Sequence, residues 1–176
     1  MPQTVAIIGA GPLGRSLALR AARAGYAVFL EDVMPSNLHH AQEYIRQELG
    51  PAALPSVAFV STVEDAVRSA DLVIDCVPDE LESKLEILWL LDRMAPPHAV
   101  FATPTTTQSI ADLAACTYRP DKCVAIAAEP AALAQSGDGA IRLRATAATA
   151  PETMTLVSGF WSALGFEPAY EPLPEN

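Results

Sequence analysis

The chain has 176 residues, with 11 Lys and Arg against 21 Asp and Glu, for a formal net charge of −10. That length suits one domain with a sizeable core, taken as residues 1–176, and is short for two. The acidic balance offers nothing to a nucleic-acid backbone or an anionic membrane surface, and no stretch approaches the ~20 uncharged apolar residues of a membrane span. Apolar residues make up 51% of the sequence and mean hydropathy is +0.22, as fully buried parallel strands would require. The first apolar run has no basic segment ahead of it and leads into a glycine loop, so it does not read as a signal peptide, and a cytoplasmic location is expected. Cys76, Cys116 and Cys123 are odd in number and lack metal-ligand spacing. They are expected to be free, buried thiols, and no metal site is expected.

In chain order, Val5-Ala6-Ile7-Ile8 ends at Gly9 in the pattern of a buried first strand. Leu13 to Ala24 reads as a helix stopped by Gly25, and Ala27 to Leu30 as a second strand ending at Glu31-Asp32. Ser36 is placed to cap a helix to about Leu49, ended by Gly50-Pro51, and Val57 to Val60 follows as a third strand. Ser61 and Glu64 have the spacing of a capping box for a short helix to about Ala70. Leu72-Val73-Ile74 begins a fourth strand, and Asp79 with Glu82 has the spacing to cap a long helix ending near Met94. Val100 to Ala102 is a fifth strand, followed by Thr103 to Thr107 and a helix from about Ser109; Cys123 to Ala127 is a sixth strand. Ile141, Leu143 and Ala145 alternate with Arg142, Arg144 and Thr146, as in a half-exposed strand nearer an edge. Pro151 opens the last helix, to about Leu164. Strands and helices alternate throughout, which predicts an α/β fold with a doubly wound, mainly parallel sheet. The weak points expected are Pro51 to Pro55, the Gly137-Asp138-Gly139 turn and the tail from Glu171 to Asn176.

Gly9-Ala10-Gly11-Pro12-Leu13-Gly14 fits G-x-G-x-x-G. The pattern alone is weak, but a strand before it, a helix after it and acids at the end of the next strand make it a Rossmann-type dinucleotide fingerprint. The first glycine permits the tight turn, the second lets a pyrophosphate approach the backbone, and the third lets the helix pack close to the strand with its N-terminus facing the anion. Asp32 lies roughly 20 residues further on, where a carboxylate accepts both ribose hydroxyls and repels a 2′-phosphate. Val33 and Met34 bring no arginine in compensation, which favours NAD over NADP. Gly9, Gly11, Pro12, Leu13, Gly14 and Asp32 form the expected cofactor site, with Asp32 preferred to Glu31. The alternative is a strand-turn-helix whose glycines serve only packing.

These motifs, in this order, resemble the N-terminal NAD-binding domain of the 3-hydroxyacyl-CoA dehydrogenases along nearly the whole chain. VAIIGAGPLGRSLALRAARAGYAVFLED is similar to that family's opening, and ADLVIDCVPDELESK to its D-L-V-x-E-A-x-x-E-x-x-x-x-K segment. The resemblance implies an NAD-dependent oxidoreductase of fatty-acid metabolism with an acyl-CoA-like substrate. It gives Asp79 and Lys84 the roles of the acid and lysine that reach the nicotinamide half. A helix cap for Asp79 and a solvated side chain for Lys84 are the plainer alternatives.

The reactive end departs from the family. Its F-A-S-N-T-S-S reads Phe101-Ala102-Thr103-Pro104-Thr105-Thr106-Thr107 here: Thr106 keeps the serine's hydroxyl, and Pro104 replaces the asparagine. Taking a proton while hydride leaves to nicotinamide needs a base. The family's G-L-H-F-F-N-P reads Val124-Ala125-Ile126-Ala127-Ala128-Glu129-Pro130, with Ile126 at the histidine when no gap is placed, only alanines when the register shifts by one or two residues, and no histidine anywhere after His98. Thr106 and Glu129 are what remains as catalytic candidates, with capping and loop roles as the plainer alternatives. The family continues into a helical domain about where this chain ends, so an intact enzyme of this class is not expected from this polypeptide alone. Two functions follow: an oxidoreductase that takes proton transfer from another group or a partner chain, or a non-catalytic NAD(H)-binding sensor or scaffold. In the helix at 80–94, five consecutive apolar residues, Ile87 to Leu91, cover every side. Either another element of the domain covers them or a second copy does, and a homo-oligomer through this helix is expected.

Overall fold

The computed structural model describes residues 3–50, 56–135 and 138–171. The strands are β1 (Thr4–Ile8), β2 (Ala27–Glu31), β3 (Val57–Val60), β4 (Leu72–Asp75), β5 (Val100–Pro104), β6 (Cys123–Ile126), β7 (Gly139–Arg144) and β8 (Phe166–Tyr170). The helices are α1 (Pro12–Arg23), α2 (Pro35–Leu49), α3 (Val63–Val67), α4 (Leu81–Met94), α5 (Ile110–Ala115), α6 (Pro130–Gln135) and α7 (Pro151–Ala163). They build one eight-stranded sheet in the order β3-β2-β1-β4-β5-β6-β7-β8. Pairing is parallel except between β6 and β7. The first six strands are thus parallel and doubly wound, as the sequence predicts.

Successive strand residues face opposite layers, so the apolar runs serve two cores. Val5, Ile7, Val28, Leu30, Leu72 and Ile74 pack under α1, α2 and α7, the last contributing Val157, Phe160 and Trp161. Ala6, Ile8, Val73, Phe101 and Ala125 face the other way, against Val67 of α3, Leu88 and Leu91 of α4 and Leu113 of α5. Here α4 is covered within the chain. Ile87, Leu88 and Leu91 are buried and Leu85 and Leu90 half-buried, leaving Trp89 as the exposed apolar residue of that run, with the Arg93 guanidinium 4.6 Å from its ring centroid.

Several local readings need correction. The cap of α3 is Thr62, whose hydroxyl accepts from Asp65 N, rather than Ser61 with Glu64. Helix α2 starts one turn-position earlier than Ser36, with Met34 as cap and Pro35 at the first position, and α4 is capped by Glu80 rather than Asp79. Cys116 is exposed and Cys76 half-buried, so of the three free thiols Cys123 alone is fully buried. Helix α6 and strand β8 were not anticipated. Of the expected weak points, Pro51 to Pro55, Gly137 and residues 172–176 lie outside the described residues. Among the described residues no helix is long and apolar enough to cross a membrane.

Candidate dinucleotide site

Neighbouring strands β1 and β4 send their chains to opposite layers, and the crevice at their carboxyl ends is the switch point where doubly wound sheets bind ligands. The loop over it is built by glycine. Gly9 has φ of +101° and its N–H donates to Glu31 O at 2.8 Å. A Cβ on Gly14 would lie 1.7 Å from Gly9 O, so only hydrogen fits there. A Cβ on Gly11 would meet nothing within 4 Å, so it would project into the open cleft that Gly11 lines. Helix α1 begins at Gly11 with no side-chain cap, leaving first-turn N–H groups and the helix's positive end for an anion. This cradle fits a pyrophosphate.

The cleft has two compartments that share Gly11, Cys76, Val77 and Pro78. The first, of about 510 Å³, runs from the end of β2 to α4 and combines apolar walls, among them Val33, Val63, Ile87 and Leu90, with three acids, Glu31, Asp32 and Glu86. No Lys or Arg is among its described lining residues, so a 2′-phosphate would find no cation. Asp32 Oδ2 accepts from Ala10 N at 2.9 Å and Asn37 Nδ2 at 3.0 Å, and Oδ1 from Met34 N at 2.8 Å. It therefore braces the glycine loop as well as lining the cleft, a bracing role with no signal in the sequence. Glu31 is 3% exposed with Oε1 unpartnered. Burial and the adjacent Asp32 carboxylate push its carboxyl up to about 7.

The second compartment, of about 390 Å³, is lined by Pro12, Leu13, Gly14, Asp79, Glu129 and Pro130, among others. Asp79 stitches two loops together: it accepts from the Thr105 hydroxyl and from Thr106 N at 3.0 Å, while its carbonyl accepts from the Thr107 hydroxyl at 3.3 Å. Burial works to raise its carboxyl, but the hydrogen bonds from Thr105 and Thr106 outweigh that and hold it below the ordinary value. Thr106 is exposed beside this tie. Glu129 Oε2 accepts from Ala132 N at 2.8 Å and so caps α6.

Lys84 does not line the cleft. It is fully buried, with Nζ 2.6 Å from Asp75 Oδ1 and 3.0 Å from Pro104 O, under the loop that follows β5. Burial pushes the Asp75 carboxyl up against the pull of the Lys84 ammonium. Neither the solvated reading nor direct contact with nicotinamide describes Lys84 here. It holds the Pro104 carbonyl and positions the threonine loop. Ile126, which the ungapped reading of the sequence sets against the family histidine, is completely buried in the core. Arg144, at the end of β7, is paired with Glu171.

A doubly wound sheet carrying a glycine cradle, an acid after β2 and a cleft across the switch point defines a Rossmann-type dinucleotide-binding domain. The family model for the 3-hydroxyacyl-CoA dehydrogenase NAD-binding domain matches residues 4–168, and the chain belongs to that family. Among curated proteins it is 31% identical over 175 residues to L-carnitine dehydrogenase of Burkholderia mallei, covering 94% of this chain and 53% of that one. To the probable 3-hydroxybutyryl-CoA dehydrogenase of Bacillus subtilis it is 29% identical over 133 residues, 68% of this chain and 46% of that one. The structure of a diketoreductase matches with a TM-score of 0.83 at 28% identity, over 99% of this chain and 65% of that one. (S)-3-hydroxybutyryl-CoA dehydrogenase of Ralstonia eutropha shares the fold, at a TM-score of 0.85 and 22% identity, over 97% of this chain and 63% of that one. The chain thus spans about half the length of the curated relatives it matches. NAD is the cofactor of this domain.

Proposed function

We propose that this chain binds NAD(H) without supplying the family's proton transfer. The observation that carries this reading is the state of the reactive half. Where a base is needed, Ile126 is sealed in the core, Pro104 offers no amide, and the carboxylates of Asp79 and Glu129 are both engaged by backbone N–H groups. When bound, the cofactor would supply hydride chemistry. The chain's own part is to cradle the pyrophosphate at Gly9–Gly14, receive the adenosine beside Asp32 and order the 105–107 loop through Asp79. A second reading is an oxidoreductase completed by a partner chain that brings the base and an acyl-CoA pocket, with Thr106 and Glu129 at its edge. Arg46, the phosphate ligand that α2 offers, is engaged with Glu43 at 2.6 Å. The exposed Trp89 supports self-association through α4, and three unpaired cysteines support a reducing, cytoplasmic setting.

Calorimetric titration with NAD⁺, NADH, NADP⁺ and NADPH tests the binding claim. NAD(H) is expected to bind in preference to NADP(H), and Asp32→Ala to weaken it about 10- to 100-fold, the worth of a charge-assisted hydrogen bond. Failure of every dinucleotide to bind would overturn the reading and leave the glycine loop a packing device.

A further inference from the structure

Two adjacent carboxyl groups in the first compartment have opposite standing. An ionised carboxylate offers about four lone-pair sites. Ala10 N, Met34 N and Asn37 Nδ2 already occupy three of those on Asp32. One remains. Adenosine brings more donors than that: two ribose hydroxyls and the amino group of adenine. Glu31 lines the same compartment, is 3% exposed, and keeps a buried Oε1 with no partner. Its side chain lies on the layer where Phe29, two residues earlier, packs among apolar groups, so the strand pattern by itself would place an apolar residue there. Buried polar atoms without partners are rare and call for an explanation. Among the described lining residues the other charged groups, Asp32 and Glu86, are also acids, so no ion pair with a cation accounts for it.

We propose that Glu31 is the second ligand carboxyl of the dinucleotide site, accepting an adenosine donor, a ribose hydroxyl or the adenine amino group, beyond the single one that the remaining lone pair of Asp32 can take. This rests on the dinucleotide reading and assigns a residue outside the glycine-and-Asp fingerprint.

The test compares the parent chain with Glu31→Val and Glu31→Gln, titrated with NAD⁺, with its 2′-deoxyadenosine analogue and with nicotinamide hypoxanthine dinucleotide. Glu31→Val is expected to bind NAD⁺ about 10-fold more weakly while melting at a higher temperature, because an orphaned polar group has been removed. A purely structural residue would move affinity and stability together. Glu31→Gln keeps a carbonyl acceptor and stays within about 3-fold of the parent. In the parent, the analogue that lacks the accepted donor binds more weakly than NAD⁺, and in Glu31→Val that gap closes. Closure for the deoxyribose analogue assigns a hydroxyl, and closure for the hypoxanthine analogue assigns the amino group. Glu31→Ala reads the same comparison should valine crowd the strand end. The proposal is overturned if the parent binds NAD⁺ and the valine and alanine variants bind all three nucleotides as the parent does. A parent that binds no dinucleotide overturns the underlying reading, and this inference with it.

Discussion

The two halves of the cleft were built under different rules. The half at the end of β2 is made of backbone conformations and acids, and the features of the fingerprint are seen there: Gly9 at positive φ, Gly14 against Gly9 O, Asp32 tied to Ala10 N. The other half depends on side chains delivered by three separate strand ends, and under the proposed reading it lacks the base that proton transfer needs. Lys84 secures the Pro104 carbonyl, and Asp79 orders the threonine loop. A fold can retain the geometry that holds a cofactor after losing the groups that use it, because holding is a property of backbone and packing and proton transfer is a property of single side chains.

The largest effect that would break this contrast is at Gly14. A Cβ there must displace the backbone oxygen of Gly9, so Gly14→Ala is expected to abolish measurable NAD⁺ binding in calorimetry and to lower the melting temperature. Retained binding would mean that the cradle is looser than described. Next is the support of the other half. Lys84→Met leaves Asp75 buried without its cation, which costs about 3–5 kcal/mol in urea unfolding, whereas Lys84→Met with Asp75→Leu should recover most of it.

A third test uses pH and bears on the adenosine half alone. Glu31 titrates at about 7 in the folded chain against an ordinary 4.5. Its folded form therefore holds a proton that the unfolded form has lost. The associated stability is fully present below pH 4.5 and disappears as pH rises through about 7, a decline of about 3 kcal/mol. Glu31→Val should flatten unfolding free energy across that window, and an unchanged slope would place the titration elsewhere. The smallest effect is expected at Trp89, where Trp89→Glu should shift stability by no more than about 0.5 kcal/mol, as at other exposed sites. If the chain self-associates through α4, the same change should shift sedimentation toward monomer.

What was legible in the sequence follows from the range of the interactions. Glycine demands are local and carry a readable spacing, so the tight loop and the doubly wound, mainly parallel sheet were legible in the chain itself. The Lys84–Asp75 pair and the Asp79–Thr105 tie join residues 9 and 26 positions apart, and nothing in local spacing marks them. Strand β8 was hidden by Pro168, which argues against a strand interior; it is tolerated because β8 pairs only with β7, at the sheet edge. Helix caps were displaced by a residue or two where neighbouring Ser, Thr, Asp and Glu compete for the same position, as at Ser61 and Thr62. Glu31 was visible as an acid beside Asp32. Its lack of a partner became evident only from the packing around it.

The most direct test of a complete cofactor site beside a reactive end without its base is a single-turnover experiment. Protein in excess over NADH would be mixed with acetoacetyl-CoA while the nicotinamide absorbance and the fluorescence of bound NADH are followed together. Bound NADH whose absorbance stays constant is the predicted result. NADH oxidised at a rate set by the protein would contradict it and show that a group other than the family histidine moves the proton.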